Sequence, residues 1–327
     1  MMKNKKKGMK NGMFVLLCIV VFVISFVGSV LFKMNYKSSE MKKYSVDWNE
    51  SIGRVYSDLS YGNQNTNKFD LYVPADQSQN SYKLIVYLHA GGFTTGDKSD
   101  DKEMLQWLCS KGYVAVGINY TLRDDAHPNA SVYSQSMEIK EAMPKVIEIA
   151  NKKGYNIDSM AIAGGSAGGT LAMIYAYRDA DSSPVPVTML FEAVGPSSFY
   201  PQDWKCYGFD KEENKENAAY LFGVMAGKTI TSKIFETDEY DNQMKDISSL
   251  LWVNENTVPS ILAYGKYDKV QSFDSSVRLD KRLTEYDIPH EYIVFEHSGH
   301  GLQNDTKMYI EYMNKVEEYL DLYLPVK

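Results

Sequence analysis

Residues 159–177 read SMAIAGGSAGGTLAMIYAY: a short, continuous apolar run meets Ser166 between small residues and passes at once into a stretch with helical spacing. A strand that turns into a helix within two or three residues must reverse very tightly, and glycine and alanine on both sides of Ser166 let that turn pack closely while leaving its hydroxyl uncovered. Such glycines have a second use, which is to cradle a phosphate at a helix N-terminus. That use asks for G-x-G-x-x-G in an early βαβ unit and an acidic residue further on. Here GGSAGG comes midway, after several strand-like runs.

Those runs set the fold class. Strand patterns fall near 55–59 and 68–73, then at KLIVYLH (83–89), YVAVGINY (113–120), SMAIAG (159–164), VPVTMLFEAV (185–194), PSILAYG (259–265) and HEYIVFE (290–296). Helical patterns separate most of them, near 102–110, 132–153, 166–177, 273–285 and 306–324. Continuous apolar strands alternating with helices predict an α/β fold, a mostly parallel central sheet with helices on both faces. Residues 197–255 break the rhythm with FYPQDWKCYGFD and KEENKENAAYLFG, and are expected to form a small cap insertion within a domain spanning 52–327. The aromatics Phe199, Tyr200, Trp204, Tyr207 and Phe222 either face a pocket or bind the cap to the core.

Three further segments belong with Ser166. The loop HAGGFTTGDK (89–98) follows an early strand, and its glycines allow backbone N–H groups to meet a developing oxyanion. Gly91 and Gly92 are the candidates, together with the N–H of Ala167 just after the serine. Asp268 stands after the strand PSILAYG and His300 after HEYIVFE, at the carboxyl ends where loops of an open α/β sheet build sites. A serine hydroxyl is a weak nucleophile, so a histidine is needed as general base and an acid to orient it. His297, three residues before His300, is the competing histidine. His89 reads as support for the glycine loop, and His127 and His290 as loop or strand-end residues.

NKFDLYVP, HAGGFTTGDK, NYTL with HPNA, GGSAGG, YGKYDKV and SGHG, in that order, resemble the α/β-hydrolase superfamily of esterases and lipases. The likeness is to the hormone-sensitive-lipase-like and the acetyl- or feruloyl-esterase-like bacterial branches, with GGSAG as the G-x-S-x-G nucleophile elbow. It implies a serine carboxylesterase acting on small acyl esters through an acyl-enzyme intermediate, with no cofactor and no metal. Ser166, Asp268 and His300 would be its triad, and Gly91, Gly92 and Ala167 its oxyanion hole. An acyltransferase or thioesterase on the same triad, and a non-catalytic hydrolase-like binding module, are the alternatives. The chain departs from the family pattern in HAGG, where HGGG is usual, and at Gly165, where an acidic residue is common.

The formal net charge of −7 conceals an asymmetry, since residues 1–43 hold nine lysines and one acid while the remainder stands near −15. An acidic body repels phosphate backbones, which argues against a nucleic-acid partner. Residues 13–32 are uncharged and mostly apolar, and 20 helical residues span about 30 Å, enough for one membrane crossing. Lysines concentrated in residues 1–12 predict a cytoplasmic basic segment, a signal anchor at 13–32, a tether at 33–51 and an extracytoplasmic domain, or a secreted one if the segment is cleaved. Cys109 and Cys206 stand too far apart in sequence to show whether they meet, and the five histidines give no metal-ligand spacing beyond the pair 297 and 300.

Overall fold

The computed structural model describes residues 40–326. The basic segment 1–12, the apolar segment 13–32 and the first part of the expected tether lie outside the described residues. No helix among the described residues is long and apolar enough to cross a membrane.

The compact unit begins earlier than the sequence suggests, at Tyr44. Tyr44 is buried, packs edge-on against Trp107 with ring centroids 5.8 Å apart, and donates its hydroxyl to Asn314 Oδ1 at 2.7 Å. Trp48 packs on Tyr72 in the same manner. Residues 44–51 are therefore part of the domain and not of a free tether to residue 51. The cause is that these two aromatics find apolar surface to cover, whatever the polar residues around them favour.

Eight strands form one sheet: β1 (Gly53–Ser60), β2 (Lys68–Pro74), β3 (Tyr82–Leu88), β4 (Val114–Ile118), β5 (Ile157–Gly165), β6 (Val187–Ala193), β7 (Ser260–Gly265) and β8 (His290–Phe295). Their order is β1-β2-β4-β3-β5-β6-β7-β8. Only β1 with β2 and β2 with β4 run antiparallel; every other pair is parallel. Side chains alternate between the faces of a strand, so each strand of this sheet supplies two cores. Leu84, Val86 and Leu88 join Ile139, Met143 and Leu171 on one face, from helices α2 (Val132–Lys152) and α3 (Ala167–Ile174). Ile85, Ala163 and Phe191 join Trp107, Met313 and Val316 on the other, from α1 (Lys102–Ser110) and α7 (Thr306–Tyr323). Burial on both faces is why these strands read as unbroken apolar runs.

Helix α2 starts where Ser131 accepts from the Ser134 N–H and Ser134 in turn bonds the Ser131 N–H, a reciprocal cap. Between β6 and β7 the chain forms no strand, and its longer helices are α4 (Lys215–Ala226) and α5 (Asp238–Met244). This is the stretch expected to be a cap. Helix α6 (Phe273–Glu285) follows β7 and holds it in place: Arg278 pairs with the buried Asp203, and Lys205 Nζ lies 2.8 Å from Asp274.

Candidate active site

Ser166 stands between β5 and α3 with φ 52° and ψ −117°, a backbone conformation rarely adopted by a residue with a side chain. The conformation is held from both sides. The Ser166 N–H donates to Ala193 O at 2.8 Å, and the Thr170 N–H donates to Ser166 O at 3.0 Å. Close packing does the rest, since a Cβ on Gly168 would lie 1.9 Å from Leu88 O and one on Gly164 would lie 2.5 Å from the Gly168 backbone. Gly165, by contrast, has nothing within 4 Å of a Cβ position, so space does not require glycine there. Gly168→Ala is expected to destabilise the protein by at least about 3 kcal/mol, because the clash is with strand backbone that has nowhere to move. A melting temperature unchanged from wild type would show that this contact is not tight.

The strand ends β5, β7 and β8 bring three side chains together. Ser166 Oγ lies 2.8 Å from His300 Nε2, and His300 Nδ1 lies 2.7 Å from Asp268 Oδ2. With Asp268 accepting at Nδ1, the imidazole carries its proton there and leaves Nε2 free to accept from the serine. The other oxygen of Asp268 accepts the N–H groups of Val270 at 2.7 Å and Gln271 at 3.1 Å, which fixes the carboxylate plane. The Asp268 side chain is 0% exposed and that of His300 25% exposed, so the acid is shielded while the base remains reachable. The two loops are stitched together: the Tyr267 N–H donates to Ser298 O at 2.9 Å, and a Cβ on Gly265 would lie 2.3 Å from Gly299 O. His297 points elsewhere, 79% exposed and bonded through Nδ1 to Asp305 at 2.7 Å. His300, and not His297, is therefore the histidine that meets Ser166.

The glycine loop follows β3, whose last carbonyl is the one that crowds Gly168. Gly91, Gly92 and Phe93 all have positive φ, at 129°, 59° and 68°. Gly91 O accepts from the N–H groups of Thr94 at 3.1 Å and Thr95 at 3.0 Å, which turns the loop. The N–H groups of Gly91 and Gly92 form no hydrogen bond to another described residue. Ala167 opens α3, so its N–H has no partner within the helix either. The loop is braced by two groups on the core side. His89 is buried, stacks on Tyr120 at 4.3 Å and donates from Nδ1 to Ala90 O at 2.8 Å, with burial pushing its pKa down. Gln135 of α2, fully buried, donates from Nε2 to Phe93 O and to Thr121 O, each at 2.9 Å. Sequence reasoning missed Gln135; a glutamine on the core face of an amphipathic helix was the available signal.

In the cap, Phe199, Trp204 and Phe222 are buried and in ring contact with one another, so their faces are used in packing within the cap. Tyr200 is half-buried, and Tyr207 is 49% exposed. Burial pushes the Cys206 thiol and the Tyr207 hydroxyl up in pKa, and the Asp268 charge adds to both. Cys109 is buried and Cys206 exposed, and both are free thiols. Among the described residues no group of three His, Cys, Asp or Glu is placed to hold a metal ion.

A mostly parallel sheet with a serine on a strained strand-to-helix turn, and an acid and histidine arriving from later strand ends, defines an α/β-hydrolase of the esterase and lipase superfamily. The chain belongs to the BD-FAE family, whose model matches residues 69–283. It is 26% identical over 142 residues to the non-reducing polyketide synthase atr1 of Stereocaulon alpinum, a match covering 41% of this chain and 6% of the synthase. It is 30% identical over 118 residues to Esterase LipI of Mycobacterium tuberculosis, covering 36% of this chain and 35% of that one. The chain thus spans well under two thirds of the length of these curated relatives. Among solved structures, esterase B from Lactobacillus rhamnosis superposes with a TM-score of 0.63 at 16% identity, covering 93% of this chain and 96% of the other. At that identity the likeness speaks for the fold alone.

Proposed function

We propose that this protein is a serine carboxylesterase that hydrolyses small acyl esters through an acyl-enzyme intermediate. The observation that carries the reading is the chain Ser166–His300–Asp268, with links of 2.8 Å and 2.7 Å, at the apex of a strained turn. In the first step Ser166 Oγ attacks the ester carbonyl while His300 Nε2 takes its proton. The N–H groups of Gly91, Gly92 and Ala167 receive the oxyanion; they need no reorganisation because they have no other partner to leave. Collapse of the tetrahedral intermediate expels the alcohol, which takes the proton from His300. Water then repeats the sequence on the acyl-enzyme, with His300 as base again. Asp268 holds the imidazole in the required tautomer and stabilises its charged form.

Burial of Phe199, Trp204 and Phe222 within the cap supports the preference for small acyl groups, because their faces are used in packing and do not line an open apolar channel. The test is hydrolysis of p-nitrophenyl esters from acetyl to dodecanoyl. We expect kcat/KM for the acetyl-to-butyryl esters to exceed that for the dodecanoyl ester by about tenfold or more. A maximum at the long chains would overturn the size preference, and no turnover of any ester by folded protein would overturn the hydrolase reading. Acyl transfer is the second reading on the same residues, since an acyl-enzyme can be resolved by an alcohol as well as by water. Added alcohol acceptors would then divert the acyl group from water in the same assay.

A further inference from the structure

Glu192 is the one charged residue of β6, whose sequence is VTMLFEA, and its side chain is completely buried on the face shared with α3. Nothing in the mechanism above uses it, yet it lies directly beneath the nucleophile turn. Its Oε2 accepts the Gly195 N–H at 2.8 Å. The same oxygen lies 2.7 Å from where a Cβ on Gly169 would be and 2.8 Å from where one on Gly195 would be, so the carboxyl fills the space that these two glycines leave between them. Tyr264 of β7 donates its hydroxyl to Gly195 O at 2.8 Å, so Glu192 and Tyr264 hold the same glycine by its N–H and its carbonyl. Tyr264 precedes Gly265, where the loop carrying Asp268 begins. On the other side Ala193, the next residue of β6, accepts the Ser166 N–H, and Thr170 of α3 donates to Pro196 O at 2.9 Å. Through Gly195 this one carboxyl is linked to the segment that holds the nucleophile turn and to the strand that delivers the acid.

We propose that Glu192 is a positioning residue, whose protonated carboxyl sets the turn bearing Ser166 against the strand bearing Asp268 through Gly195 and Tyr264. The proposal rests on the serine-esterase reading for the reaction it serves. Its protonation state follows from the contacts. Tyr264 gives its only hydrogen to Gly195 O and so has none to offer an ionised carboxylate. Glu192 Oε1 has no hydrogen-bond partner among the described residues, and an ionised oxygen in that position would be costly. Burial accordingly pushes the Glu192 carboxyl up from 4.5 to about 8, against the hydrogen bond from the Gly195 N–H. The titratable groups that feel it are Tyr264 of β7, Tyr177 in the turn after α3, Tyr292 of β8, Tyr87 of β3 and Tyr312 of α7. All five are phenols raised above their ordinary value by burial, and none is a cation to offset an ionised Glu192.

The sign of the pH effect is fixed by that upward shift. The stability contributed by the neutral group is complete below the unfolded value of 4.5 and is lost progressively as the pH rises to about 8. Glutamine is neutral at every pH and can accept from the Gly195 N–H as the carboxyl does. The experiment compares the full chain with Glu192→Gln and Glu192→Ala in ester turnover and thermal melting between pH 5 and pH 9, as buffer conditions. At pH 7 we expect Glu192→Ala to lower kcat by about tenfold or more with KM within about twofold, and Glu192→Gln to restore kcat. Between pH 7 and pH 9 the wild-type kcat should fall at least about threefold relative to Glu192→Gln. The wild-type melting temperature should drop relative to Glu192→Gln by about 5 °C or more from pH 5 to pH 8.

Wild-type kcat in the alanine variant, or a glutamine variant as impaired as alanine, would overturn the proposal. A difference in melting temperature that does not change with pH would overturn it too. If the alanine variant does not fold, the glutamine arms decide alone. If wild type turns over no ester, the esterase reading falls by itself, and the pH-dependent melting difference still decides whether Glu192 is the neutral carboxyl described here.

Discussion

Ser166→Ala is expected to reduce ester hydrolysis by about 10⁴-fold to 10⁶-fold in kcat while leaving the melting temperature close to that of wild type. On the proposed mechanism the loss is large because nucleophile, base and acid act as a unit: without Oγ no acyl-enzyme forms, and His300 has nothing to deprotonate. Stability should be spared because the bonds that hold the turn are backbone bonds, Ser166 N–H to Ala193 O and Thr170 N–H to Ser166 O, and the methyl group of alanine fits wherever the CH₂ of serine did. What remains would come from the N–H groups of Gly91, Gly92 and Ala167 and from substrate binding. A variant that keeps more than a tenth of wild-type kcat would remove Ser166 from the chemistry, and mass spectrometry after an organophosphate would then show which residue carries the adduct.

Asp268→Asn is expected to cost about 10⁴-fold in kcat, for a reason that the geometry specifies. Asp268 Oδ1 accepts two backbone N–H groups, from Val270 and Gln271, so the amide oxygen of asparagine must stay on that side. Its NH₂ group then takes the place of Oδ2 and donates toward His300 Nδ1. That forces the imidazole proton onto Nε2, where it meets the Ser166 hydroxyl as a donor and can no longer take its proton. The turn keeps its two bonds, and the fold should be intact. Near-normal kcat in this variant would mean that the orientation of His300 is set by something other than Asp268.

Much of this site was legible in the chain because its determinants are local. The turn at Ser166 needs Gly164 and Gly168 within two residues of it, and the structure shows why: the carbonyl of Leu88 and the backbone of the turn leave no room for a Cβ at either position. The glycine loop declares itself in the same way, through positive φ at Gly91 and Gly92. The strands were legible because a sheet covered on both faces demands apolar residues at consecutive positions. The end of the tether was harder to place, since Tyr44 and Trp48 sit among lysines and polar residues, and their burial depends on surface supplied by Trp107, Tyr309 and Tyr72, far along the chain.

By itself, then, the sequence determined the α/β class, the strained turn with its serine, and the order in which an acid and a histidine follow on later strand ends. Only the tertiary structure decided which histidine meets the serine, because His297 and His300 lie in one loop with similar local surroundings. The choice is made by Asp305, which takes His297, and by Asp268, which arrives from the neighbouring strand to take His300. Glu192, too, reads in the sequence as an anomaly within an apolar strand and nothing more. Its place between Gly169, Gly195 and Tyr264 exists only because β5, β6 and β7 lie side by side, and contacts across strands far apart in sequence are set by sheet order, which no short motif encodes.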